Sequence, residues 1–195
     1  MATQTKETGQ SLNFFQRSWL RTTLPAKKAI MARTEDSLGK QEIFAESHSP
    51  KVRTALLENP KIHPDVQGRF AEHFAYCAFD FVVEEKRGWI EVEELSKSVS
   101  QMQLLTKNRN ITQNTAKRIA EEVMRLYDDM KDVVSERRVE ATALAVAGKS
   151  NKHISIDPLN KILAGLDQIG QNLVLNPSVQ DQNLKEQLRS KFDTK

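Results

Sequence analysis

Six prolines frame this chain of 195 residues, because each stands where a helix can begin or must end. Ser49-Pro50, His63-Pro64, Asp157-Pro158 and Asn176-Pro177 each read as a helix start. Pro60 reads as a stop, since the residue before a proline is pushed out of helical backbone, and Pro25 closes an earlier segment. Between these marks apolar residues recur at spacings of three and four, the period of a helix. The pattern predicts an all-α fold: an irregular multi-helix domain with a repeat-like N-terminal half and a long-helix C-terminal half. Three segments follow, a basic amphipathic arm over 1–35, a helical repeat-like half over 36–110 and a long-helix half over 111–195.

A helix of about three turns is expected from Pro50 to just before Pro60, carrying Val52 and Leu56. The next opens at Pro64 and puts Val66, Phe70, Phe74, Ala78 and Phe81 on one stripe. Cys77, Phe79 and Val82 widen that stripe, so this helix reads as apolar nearly all round and the most buried of the set. Thr112 caps the longest pattern, with Ala116, Ile119, Val123, Leu126, Met130 and Val133 in register as far as about Ala147. Its polar face between 117 and 138 holds six bases and six acids, a balance typical of a solvated helix and not of a nucleic-acid groove. Asp157-Pro158 starts a helix with Leu159, Ile162, Leu163, Leu166, Ile169 and Leu173, and Asn176-Pro177 starts the last, before a tail around Asp193.

Ser49-Pro50-Lys51-Val52-Arg53-Thr54-Ala55-Leu56-Leu57-Glu58-Asn59-Pro60, continued by Lys61-Ile62-His63-Pro64, resembles the leucine-rich repeat variant, a short helical solenoid repeat akin to HEAT repeats. Val52-Arg53-x-x-Leu56 and Asn59-Pro60-x-x-x-Pro64 carry the likeness, which covers about residues 37–74, and the period does not recur downstream. The resemblance implies an interaction scaffold and brings no catalytic residues. A weaker resemblance, to a degenerate EF-hand, lies at 83–95. There Gly88-Trp89-Ile90 and Glu94 match the second half of the loop, but Val83, Glu85 and Arg87 stand where the first ligands belong, so no calcium site is expected.

Charge is unevenly spread. The chain totals +3, yet residues 1–33 hold six bases against the single acid Glu7, a net +5 that leaves the remainder at −2. Within that arm Leu12, Phe15 and Trp19 share a helical face flanked by Arg17 and Arg21, with Lys27 and Lys28 following. Such a face either docks onto the protein's own core or meets a partner, and its charge suits an anionic one. Phe15, Trp19, Arg17, Arg21, Lys27 and Lys28 are therefore the candidate partner-binding residues. The Arg- and Ser/Thr-rich opening also has a transit-peptide composition but lacks the apolar core of a secretory signal.

Candidate chemistry is sparse. Gly148-Lys149-Ser150 matches only the end of a phosphate-binding loop, with Ala143 in place of the first glycine, and reads as a helix C-cap. His73 and Cys77, four apart on a helix, are two potential ligands without the further ones a metal needs, and the apolar stripe around Cys77 disfavours a reactive thiolate. The carboxylates of Glu84, Glu85, Glu91, Glu93 and Glu94 form a local acidic patch. No catalytic, cofactor or metal site is expected. A lone cysteine suits a reducing, cytoplasmic setting, and no apolar run approaches the roughly 18 residues of a membrane span. The expected function is a non-enzymatic adaptor or structural component of a multi-subunit protein assembly, with weak nucleic-acid binding through the arm as the alternative and a Cys-dependent enzyme as the least favoured.

Overall fold

A computed structural model describes residues 12–86, 92–147 and 156–192, and for 83–86 the backbone alone. The described residues are all-α and contain no strand. In chain order the helices are α1 (Phe14–Thr22), α2 (Pro25–Ala32), α3 (Leu38–Ala45), α4 (Pro50–Leu57) and α5 (Pro64–Lys86). They continue with α6 (Val92–Lys107), α7 (Gln113–Val146), α8 (Asp157–Leu175) and α9 (Gln182–Lys191). Pro25, Pro50 and Pro158 occupy the first turn of α2, α4 and α8, where a missing N–H costs no helical hydrogen bond. Helix α4 spans 8 residues, nearer two turns than three, because the chain leaves the helix at Glu58 to bury Asn59 ahead of Pro60.

Two compact units make up the chain, Met1–Gln67 and Gly68–Lys195, and the division falls inside α5. In the first, α1 packs on α3, and α4 on both α2 and α3. Leu20, Ala32, Phe44, Val52, Leu56 and Ile62 are buried in it, each large side chain contributing about 1.5–3 kcal/mol of transfer free energy. In the second, α6 packs on α8, and α7 and α9 pack on α8 and on each other. The stripe from Ala116 to Val133 on α7 is buried as its spacing predicts, and α7 runs unbroken for 34 residues. Of the α8 set, Leu159, Ile162, Leu166, Ile169 and Leu173 are buried and Leu163 is half-buried.

Helix α5 departs from expectation. Val66, Phe70, Phe74, Cys77, Ala78 and Phe81 are buried, but Phe79 and Tyr76 are 61% and 64% exposed. The widening of the stripe is therefore only partial, and α5 keeps an aromatic outer face instead of being covered all round.

Asn176-Pro177 is not a helix start. Asn176 caps the C-terminus of α8, and α9 begins later, at Gln182, behind the Asp181 cap whose Oδ1 accepts from Leu184 N at 3.0 Å. The intervening residues form a corner that occurs at three places with the pattern Leu-x-x-Asn-x-x-(Ile or Val): Leu56 to Ile62, Leu105 to Ile111 and Leu173 to Val179. At each, the asparagine Oδ1 accepts the backbone N–H two residues on, from Lys61, Asn110 and Ser178, at 2.8, 3.0 and 2.9 Å. The asparagine carbonyl accepts from the residue three on, from Ile62, Ile111 and Val179, at 3.1, 3.2 and 3.2 Å. All three asparagines, and the Leu and Ile or Val flanking them, are buried. A side chain that imitates a backbone turn thus ends one helix, while apolar flanks pin the corner inward.

Two corners also tie helix ends together. Asn59 Nδ2 donates to Ala32 O and Glu35 O at 2.9 and 2.7 Å, holding the end of α2 beside that of α4. Asn176 Nδ2 donates to Thr106 O and Asn108 O at 2.8 and 2.9 Å, doing the same for α6 and α8. Ala32 and Thr106 lie in the last turn of their helices, where no intrahelical donor remains for the carbonyl, and Glu35 and Asn108 follow just beyond. Gln41 supports the first corner, with Nε2 donating to Glu35 O and Lys61 O and Oε1 accepting from His63 N at 2.7 Å.

Candidate docking surface

Helix α1 begins at a capping box. Gln16 N donates to Asn13 Oδ1 at 2.9 Å, and Asn13 N donates to Gln16 Oε1 at 3.1 Å. This start fixes where the helix begins, and the docking of Leu20 fixes which side faces inward. Leu20 is 1% exposed, and Leu12, which precedes the helix, lies half-buried against Gly39. The face shared by Leu12, Phe15 and Trp19 therefore does not form: Leu12 is outside the helix and packs inward, whereas Phe15 and Trp19 turn outward. Phe14 and Phe15 are 80% and 81% exposed, with their rings edge to face at 6.0 Å, and Trp19 is 51% exposed. Lys27 Nζ stands 5.5 Å from the centroid of the Trp19 ring, within cation–π range.

The bases are arranged in two ways. Arg21 faces Glu46 at 3.8 Å and Arg33 faces Glu58 at 3.1 Å, both pairs exposed and so of small energetic weight. Lys28 is half-buried and donates from Nζ to Arg21 O at 2.8 Å, closing the C-terminus of α1 with a cation. Thr23 Oγ1 donates to Trp19 O at 2.7 Å at the same end. Arg17 and Lys27 are exposed, and the described residues offer neither of them a carboxylate. All six candidate residues thus lie on α1 and α2, together with three exposed apolar side chains that periodicity did not single out: Phe14, Leu24 and Ile30. One signal for them is the absence of any acid between residues 12 and 34, which leaves bulky apolar and basic side chains as the main content of this surface.

Two grooves open on α2. One, of about 640 Å³, lies between the α1–α2 turn and the approach to α4 and is lined by Arg21, Leu24, Lys28, Ile43, Glu46 and His48 among others. The other, of about 420 Å³, is lined by Ala29, Ile30 and Arg33 of α2 and by Pro50, Lys51, Thr54 and Ala55 of α4.

The remaining sequence candidates are placed as follows. Cys77 is a free, buried thiol with Sγ 3.7 Å from His73 Nε2. Burial pushes the thiol up from its ordinary value. Native Cys77 should accordingly react with iodoacetamide at pH 7 at least about tenfold more slowly than in urea, with the rate rising only above the ordinary thiol range. Mass-spectrometric timing of the adduct checks this, and equal rates in the two states would contradict a sheltered thiol. His63 caps α5, its Nδ1 accepting from Asp65 N at 3.2 Å. Among the described residues no group of three or more His, Cys, Asp or Glu is placed to hold a metal ion.

Glu93 and Glu94 grip the Lys97 ammonium at 2.8 and 2.9 Å, and these contacts raise its pKa. The EF-hand-like turn at 87–91, Gly148-Lys149-Ser150 and His153 lie outside the described residues. Ala143 to Val146, the first half of the phosphate-loop candidate, belong to α7 and not to a loop after a strand. Among the described residues no helix is long and apolar enough to cross a membrane.

Comparison of the chain with family models, with curated proteins and with solved structures finds no match.

Proposed function

We propose that the protein is a non-enzymatic adaptor or structural component that docks to a larger protein assembly through the surface of α1 and α2. The observation that carries this reading is the exposure of Phe14, Phe15, Trp19, Leu24 and Ile30 in one short stretch whose charged residues are all bases. Unit 1 covers its own core with other side chains, Leu20 and Ala32 from these same helices, so the aromatic face is not needed to close it. Aromatic anchors beside arginine are the composition from which interface hot spots are drawn. The resemblance of residues 37–74 to a helical scaffold repeat supports the same reading, and the free Cys77 suits a cytoplasmic setting.

The test separates binding from folding. A Phe15→Ala, Trp19→Ala double variant should keep its melting temperature within a few degrees. It should also lose the partner identified by affinity capture and rebuilt from purified components, each anchor contributing about 2 kcal/mol. If the variant unfolds or aggregates on its own, the face belongs to the core and the reading fails. The second reading, nucleic-acid binding, draws on the acid-free run of five bases between residues 12 and 34. It requires affinity that falls steeply with salt and vanishes when this run is neutralised.

A further inference from the structure

We propose that the groove between α2 and α4 receives an acidic peptide segment that carries bulky apolar residues. The inference rests on the docking reading above and names the chemistry of the partner. Ala29 and Ala55, one from each helix, are short enough to leave the groove open between α2 and α4, and Ile30 stands 73% exposed at its wall. An isoleucine left in water beside a concave, alanine-lined floor is the half of an apolar contact that a bulky side chain completes.

The charges define the rest of the ligand. Arg33 and Lys51 line this groove, and Arg21 and Lys28 line the larger one beside it. Glu58 and Glu46 meet Arg33 and Arg21, whereas the described residues give no carboxylate to Lys51. A carboxylate supplied by a partner would meet this ammonium at the groove. A peptide fits better than a continuous anionic surface for two reasons. The apolar floor is concave, whereas a bilayer meets a protruding face. Exposed Glu46 and Glu58 sit among the bases, where an unbroken array of phosphates would be repelled and discrete carboxylates can be spaced to avoid them.

The test uses the full chain and a fluorescent peptide of about 16 residues, with leucines on one helical face and glutamates on the other, at about 0.15 M salt. Saturable binding is expected, weakened about tenfold or more when the glutamates become glutamines. Ile30→Glu and Lys51→Glu alter exposed side chains, so each should weaken binding at least about fivefold without moving the melting temperature. Binding that ignores the Glu-to-Gln change, or that survives both substitutions, overturns the proposal. So does tighter association with phosphatidylserine vesicles or with single-stranded DNA than with the peptide. Peptide binding lost only in the Phe15→Ala, Trp19→Ala variant overturns the groove while leaving the docking reading intact. Retention of the captured partner by that same variant overturns the docking reading and leaves the groove standing on the peptide titration.

Discussion

Asn176→Ala is expected to destabilise the protein by about 3 kcal/mol, lowering its melting temperature by about 6–12 °C. The side chain is 4% exposed and makes three hydrogen bonds, to Thr106 O, to Asn108 O and from Ser178 N. Alanine removes one partner from each of these three groups, although Asn108 O keeps Ile111 N. A deserted buried polar group costs about 1–3 kcal/mol, and water entering from the corner reduces the sum. Urea unfolding followed by circular dichroism measures the loss. Asn59→Ala, at the equivalent corner of the first unit, should behave alike, whereas Pro177→Ala changes an exposed residue and should cost little. A loss below about 1 kcal/mol for both asparagines would mean that water replaces the amides without difficulty, and that the corners do not hold the helix ends.

Gly170→Ala should destabilise by about 2 kcal/mol, against the usual sign for this change in a helix, where alanine is favoured by about 1 kcal/mol. A Cβ at Gly170 would stand 2.3, 2.6 and 2.8 Å from three ring atoms of Phe192. That ring is fully buried and meets Tyr127 edge to face at 4.8 Å. It cannot retreat without giving up its site, so either α8 shifts or the end of α9 detaches. Gly68→Ala is the matched control. It too lies inside a helix, α5, but an added Cβ there meets nothing within 4 Å, and a gain of about 0.5–1 kcal/mol is expected. Thermal melts of the two variants should move in opposite directions, and movement in the same direction would show that ring contact does not set the cost at Gly170.

The helices were legible where the signal is local. Prolines at helix starts, the Thr112 cap and the stripe from Ala116 to Val133 all act within a few residues of where they are read. Asn176 was misread because asparagine suits both a helix start and a buried corner. What decides between these is a pair of carbonyls 68 and 70 residues upstream, which no window on the sequence can see. The recurrence of the corner was hidden for a related reason. Helices of very different length separate the three copies, so the pattern returns without a fixed period. On α5, counting apolar types overstated burial, since hydrophobicity does not say whether Tyr76 and Phe79 find cover. At the candidate surface the charge imbalance was readable, since it is a matter of composition. The outward turn of Phe14, Leu24 and Ile30 was not, because exposure there depends on where Leu20 and Ala32 dock.

Lys185 ties the third corner to the helix that follows it. Its Nζ donates to Asn176 O at 3.1 Å, so the carbonyl of the last corner is met by an ammonium. At Asn108 the corresponding carbonyl is met by the amide of Asn176. Lys185 belongs to α9, and Val179 N shares the Asn176 O acceptor at 3.2 Å. The corner that ends α8 is thereby latched twice, once from within the turn and once from the helix that follows it.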